Sequence, residues 1–353
     1  MKKLNFIVLF ASVALFLASC NSSDSSDTTT EGNWVKRSSL NGASRAFGVA
    51  FALGNYAYVG TGKNANTPDT MLSDFYKYDP SNDIWTQVAN IPAARYMGVA
   101  FTINGKGYVG TGLIDKPHVT TLSDFWEYNP DADSWTKKAD FPNGGRYRAT
   151  AFAVGDTGYV LCGYASDQST YLKDMFDYNP STDTWTSDAF SGNKRIGGTA
   201  FVYNNQGYVL GGTGSDGALC QDFYRFTPGS TDRWHQLRSI YALTDSSFDD
   251  DYSDIVRTDG VALVMGSDIY FAAGVGPVSS ANTAASPVNN TWHYDPATDL
   301  WDRRSAIERG NRDGAVGFTV QGRGYIATGG MNASTYYDNL DEFIPSQDLN
   351  LND

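Results

Sequence analysis

Six arginines stand at one position in six similar stretches of the chain. Each lies six residues ahead of an apolar residue, as Arg45/Phe51, Arg95/Phe101, Arg146/Phe152, Arg195/Phe201, Arg257/Leu263 and Arg312/Phe318. A guanidinium offers its donors in a rigid fork that meets a carboxylate two bonds at a time. Six in one register would ring an anion, so these arginines are the candidate ligand-binding residues, set against ties to backbone carbonyls or loop aspartates. Glu308, four residues before Arg312, is the candidate catalytic acid or base, set against a solvated loop acid beside Arg309. Asp249 to Asp251 are alternatives to it. Asp249, Asp251 and Ser253 alternate like oxygen ligands of calcium, but no Gly follows at the turn and no Glu closes the loop. The insert 245–254 therefore reads as a solvated acidic loop, and no metal is expected. Only His118, His235 and His293 are present, none placed to activate a Ser or Cys nucleophile. No cofactor is implied.

The elements that must hold these groups are short strands. The chain has 36 Gly, 22 Tyr, 19 Phe and 8 Trp, and only Glu31, Glu127, Glu308 and Glu342 among its 39 acids. Asp serves turns where Glu serves helices. A motif returns as Tyr78-x-Pro80-x-x-Asp83-x-Trp85, and again from Tyr128, Tyr178 and Tyr294, with a stretched form from Phe226 to Trp234. The Pro ends a strand, the Asp is expected to bond amides in the turn, and the Trp opens the next strand. An Arg and a small, apolar strand follow each Trp, then a strand ending near glycines, then paired aromatics as in Asp74-Phe75-Tyr76. Four strands about every fifty residues, with no helical stretch, predict an all-β propeller. Blades are expected at 44–86, 94–136, 145–186, 194–235, 256–302 and 311–348 plus 33–38. The last repeat has Asn350 where a Trp is due, while Trp34 stands alone near the other end. The N-terminal strand is therefore expected to complete the sixth blade, within a domain at 33–348 followed by a tail at 349–353.

An Arg before an apolar strand, a strand ending in Gly-Gly and an aromatic–Asp–Pro turn leading to Trp together resemble the Kelch repeat. The double Gly is retained at Gly211-Gly212 and Gly329-Gly330. The resemblance covers 34–348 and implies a six-bladed Kelch β-propeller. Its second-to-third and blade-to-blade loops share one face and carry most of the length variation, which is where binding usually resides. Galactose oxidase activity, known in some Kelch propellers, needs two His at one copper and is not expected. The chain is also similar to sialic acid mutarotases, exported six-bladed Kelch proteins that need no cofactor. That likeness implies Glu308 as base and an Arg for the sugar carboxylate. Without a clear acid–base cluster, the favoured reading is a non-catalytic module binding a glycan or protein through the loop face around the arginines.

At the N-terminus, Lys2 and Lys3 precede an apolar stretch from Phe6 to Phe16. Leu17-Ala18-Ser19-Cys20 then resembles a bacterial lipobox. Residues 1–19 read as a lipoprotein signal peptide, Cys20 as the lipidated residue and 20–32 as a disordered tether. The Ser/Asp-rich start is similar to surface-export signals of Bacteroidetes lipoproteins. The expected location is the outer membrane or cell surface, with the periplasmic face open, and the lipid is the sole membrane contact. The formal charge of −13 becomes −15 once Lys2 and Lys3 leave, which argues against nucleic acid as a partner. A monomer is expected, with Cys162 and Cys220 as small buried hydrophobes rather than a disulfide. Cys20→Ala, or globomycin treatment, should block lipid-linked maturation, scored by palmitate labelling and membrane fractionation. Ordinary processing and membrane retention of the Ala variant would overturn the anchor.

Overall fold

The computed structural model describes residues 31–64, 71–115, 118–241, 254–277 and 285–352. Cys20, most of the tether and Asp249 to Asp251 lie outside these residues. Six four-stranded antiparallel sheets form the blades of a propeller. Blade one comprises Val49–Leu53, Tyr56–Gly60, Phe75–Asp79 and Ile84–Val88. Blades two to five repeat this order from Val99–Ile103, Thr150–Val154, Thr199–Tyr203 and Val261–Met265. Blade six joins Val316–Val320, Arg323–Ala327 and Leu340–Ile344 to Asn33–Arg37, which is its outer strand as expected. Innermost strands alternate, so that Val49, Phe51 and Leu53 bury against a neighbouring blade while Ala50 borders the channel. Second strands are covered on both faces and are apolar nearly throughout.

The aromatic turns tie one blade to the next. Asp83, Asp133, Asp183 and Asp299 all adopt positive φ, between 43° and 58°. Each accepts a bond from its repeat's tyrosine hydroxyl, at 2.8, 2.8, 2.8 and 2.9 Å. Each also accepts the amide of Ser38, Ala89, Ala139 or Arg238 in the preceding blade. The expectation of bonds within the turn is thus corrected. There the amide is bonded instead by the residue after the tyrosine: Asp79, Asn129, Asn179 or Asp295. The indole nitrogens of Trp85, Trp135, Trp185 and Trp234 donate back to carbonyls of the preceding blade. Trp34 does the same for blade six, reaching the Ser305 carbonyl and Thr291 Oγ1, both at 3.2 Å.

Inside each blade the arginine is a brace. All six are 0% exposed, and each guanidinium donates to the carbonyl sixteen residues on, where the second strand ends. Arg45, Arg95 and Arg146 bind both oxygens of Asp74, Asp124 and Asp174. Arg195 binds Asp222, and Arg312 binds Asp341 and Asn339. Arg257 has carbonyls only, among them Ile255, Ala273 and Asp254, and burial pushes its pKa down to about 9. The glycine after that carbonyl crosses to the next blade. Gly62, Gly112, Gly163, Gly212, Gly274 and Gly329 donate to the carbonyls of Arg95, Arg146, Arg195, Arg257, Arg312 and Arg45, at 2.7–2.9 Å. Their φ values of 87–106° place them where a side chain is strained. Gly329 thus aligns with Gly212, so the two double glycines are one residue out of register and only Gly211-Gly212 keeps the repeat's place.

Trp34 is as buried as Trp85, at 2% against 4% exposed. Either Trp→Ala change should cost about 3–5 kcal/mol, read as matching losses of melting temperature. A Trp34 variant that melts like the parent would show that the outer strand of blade six is dispensable. Arg95→Leu leaves Asp124 without its partner and should cost about 3–5 kcal/mol. Unchanged denaturant unfolding of that variant would refute the brace.

Candidate functional site

Between the arginine and the next small residue each repeat has two positions. They read Ala46-Phe47, Tyr96-Met97, Tyr147-Arg148, Ile196-Gly197, Thr258-Asp259 and Asp313-Gly314. Because the brace fixes the arginine and the next strand lines the channel, these residues meet at the axis on the loop face. The second of each pair has positive φ, between 51° and 62°. Amides of Met97, Arg148, Gly197 and Asp259 donate to the carbonyl of the preceding member, and that of Phe47 to Gly314, at 2.7–2.9 Å. Below them the channel is a narrow cavity of about 210 Å³ lined by Gly, Ala and Val with Thr150 and Thr199. A second cavity of about 130 Å³ lies at the mouth and reaches Arg148 and Asp259.

Arg148, from blade three, crosses to blade five. Its Nε lies 3.2 Å from Asp259 Oδ1, one Nη2 bond goes to Thr258 Oγ1 at 3.0 Å, and a second meets Asp259 Oδ2. The pair passes over Gly197, where a Cβ would stand 2.4–2.9 Å from all three side chains. Burial opposes the charge of Arg148, but Asp259 outweighs it and raises the arginine's pKa. On blade six, Asp313 is pushed up to about 7 by burial and by the Asp259 carboxylate, with Arg148 acting in opposition. Asp313 Oδ1 has no hydrogen-bond partner. Across the mouth Lys63 pairs with Asp115 and lies 5.2 Å over the Tyr96 ring. Tyr147, Tyr164 and Tyr171 form an aromatic row with centroid spacings of 5.5 and 5.3 Å. Tyr96 feels Asp115, Tyr147 and Tyr336, and Tyr336 feels Lys63 and Asp313, so these groups are neighbours, a set that suits hydrogen bonding and stacking against a polyhydroxylated ring.

The expected site residues fall elsewhere. The guanidiniums of Arg45, Arg95, Arg146, Arg195, Arg257 and Arg312 are fully buried and donate to acceptors of their own blades, with the Nε of Arg146 and Arg312 left over. The residues two places later are the ones that meet at the axis and line the mouth cavity. The six arginines do not form the expected ring around an anion, because five are paired with aspartates and Arg257 is enclosed by carbonyls. Glu308 is partly buried in the loop leading to blade six and does not line the mouth cavities. Arg309 beside it pairs with Asp341. The acidic insert lies outside the described residues except Asp254, whose carbonyl and carboxylate hold Arg257 and Asn290. Cys162 and Cys220 are free thiols, Cys162 buried and Cys220 partly so. Among the described residues no His, Cys, Asp and Glu cluster suits a metal. The missed residues, Arg148, Asp259 and Asp313, do carry a signal, since they sit where the repeats agree least.

The comparisons with known proteins accord with this architecture. N-acetylneuraminate epimerase from Yersinia enterocolitica is 25% identical over 140 residues, 39% of this chain and 31% of that protein. The match thus spans about a third of the curated relative. A solved structure, described as that of YjhT, superposes with a TM-score of 0.69 at 17% identity, covering 86% of this chain and 96% of the other. That likeness shows the fold. The model of the KLHDC2/KLHL20/DRC7 Kelch-repeats domain matches residues 49–247, more than half of the chain, and the chain belongs to that family.

Proposed function

We propose that the chain is an exported, lipid-anchored Kelch propeller that binds a glycan at the axial mouth of its loop face. The observation that carries this reading is the convergence of Lys63, Asp115, Arg148, Asp259 and Asp313 with Tyr96, Tyr147 and Tyr164. These side chains offer donors, acceptors and rings, which is the combination sugar recognition uses. The braces and turns leave the groups pre-positioned, so little ordering opposes binding. In this reading the six repeat arginines serve the ligand indirectly, by holding the two residues that follow each of them.

A second reading, mutarotation of an acidic sugar, is favoured by the likeness to N-acetylneuraminate epimerase. Opening and reclosing a hemiketal ring needs one group that gives a proton and one that takes it. Asp313, shifted to about 7, suits that exchange at neutral pH better than an ordinary carboxyl. Glu308 remains the alternative base.

A glycan array and calorimetric titration of residues 31–353 test the first reading. Arg148→Ala should lower affinity by about 1.5–3 kcal/mol if a charged hydrogen bond to the sugar is lost. Binding that ignores both Arg148→Ala and Tyr147→Ala would remove the mouth as the site. For the second reading, anomer exchange of sialic acid is followed by NMR with the parent, Asp313→Asn and Glu308→Gln. No acceleration by the parent would dispose of catalysis, and the variant that stops exchange identifies the base.

A further inference from the structure

Beside the axis, between blades five and six, a cavity of about 340 Å³ is lined by Phe47, Pro287, Asp313, Met331, Asn332 and Tyr336, among others. Its aromatic walls depend on two glycines. A Cβ at Gly314 would stand 2.7 Å from the Phe47 ring, and one at Gly330 2.5 Å from the Tyr336 ring. With no side chain at either place, both rings pack close against the blade-six backbone. Asp313 is the ionisable group among the lining residues apart from the Tyr336 hydroxyl.

We propose that this cavity is a subsite for a positively charged amine, such as the free ammonium of an unacetylated amino sugar; the inference rests on the glycan reading of the mouth. A carboxyl group in a cavity that aromatic rings also line is an arrangement that takes an ammonium, through charge and ring quadrupole together. The surrounding charges favour it. Asp259 and Asp313 share one cation, Arg148, and Lys63 is already engaged by Asp115. Tyr336 is close enough to Lys63 and Asp313 to feel both, and stays a neutral phenol because burial raises its pKa. The Asp313 carboxylate is therefore short of a counter-charge, which an anionic ligand would aggravate, a neutral one leave, and a cation supply.

Asp313 titrates above the ordinary carboxyl range, so the folded protein keeps a proton there that the unfolded chain releases. Its charging costs stability as pH rises from about 4 to about 7. Asp313→Asn should accordingly fold and melt higher than the parent at pH 8, which serves as the fold control. Calorimetric or NMR titration of the parent and this variant then uses glucosamine, N-acetylglucosamine, glucose and choline. Choline keeps its charge at every pH. Glucosamine should bind about tenfold or more tightly than N-acetylglucosamine, and Asp313→Asn should abolish that preference. Choline affinity should rise between pH 5.5 and 8 in the parent and stay flat in the variant. Equal binding of glucosamine and N-acetylglucosamine would overturn the subsite while leaving the glycan reading intact. Binding of choline through Asp313 without any sugar would uphold the cation site and sink the glycan reading. No cation binding at pH 8 would overturn the subsite outright.

Discussion

Each blade is held to the next by a glycine amide at the end of its second strand, which donates to the carbonyl of the following blade's arginine. Six such bonds run round the axis and close from Gly329 to Arg45. Both partners are buried backbone groups with no water to fall back on, so a missing bond costs the desolvation of two polar groups. Each arginine joins in two directions, with its carbonyl bonded to the preceding blade and its guanidinium to its own strand end and aspartate. Charge and backbone are thereby settled at the same residue. The carbonyl is in place only when the side chain is buried, and the side chain tolerates burial only because five of the six have a carboxylate or a carboxylate with an amide. Arg257 is the exception, and burial lowers its pKa to about 9; burial also lowers that of Arg312, against the pull of Asp341.

Function follows from what this ring leaves unused. Arginine and glycine are committed in every repeat, as are the residues of the innermost strand. Only the pair between them is free to vary while its backbone stays fixed on the axis. A near-sixfold frame thus carries an asymmetric set of side chains: Phe47 and Met97 on one side, Arg148 crossing to Asp259 over an empty Gly197, and Asp313 next to Gly314. The Arg148–Asp259 pair skips blade four altogether. It couples blades three and five only because Gly197 offers no obstacle, so a glycine far from any turn in the outer sheets decides the electrostatics of the mouth.

The fold was legible because repetition is a strong signal. Six copies of Trp, Arg, glycine-ended strand and aromatic pair leave little freedom, and the unmatched Trp34 identified the closing strand. The arginines were misleading for a physical reason. The fork that suits a ligand carboxylate equally suits Asp74 or Asp124, and those partners lie 29 residues away across a loop, where spacing says nothing of contact. The mouth was illegible by the same logic. Its residues are those that depart from the repeat, while attention to the repeat favours those that keep it. Glu308 attracted notice as a rare Glu near Arg312, but proximity in a loop does not bring a side chain to the axis. The double glycines misled by one residue, because Gly330 is demanded by the ring of Tyr336, whereas Gly211 stands at a positive-φ position that Thr61, Thr111, Cys162, Ala273 and Thr328 fill in the other repeats.

The excess of aspartate has two separate meanings. Asp83, Asp133, Asp183 and Asp299 are consumed by tyrosine hydroxyls and neighbouring amides. Asp74, Asp124, Asp174 and Asp222 are consumed by the braces. These carboxylates make much of the chain acidic without describing its ligand, so net charge alone is a poor guide to what binds. At the mouth the balance turns on five groups, Lys63, Asp115, Arg148, Asp259 and Asp313, two positive and three negative. Two of the negatives are paired with the two cations, and the third, Asp313, is pushed up to about 7 by burial and by the Asp259 carboxylate, against the pull of Arg148. In a frame that satisfies nearly identical carboxylates by a repeated partner, the carboxyl whose partner is absent marks the place where charge from outside is worth most.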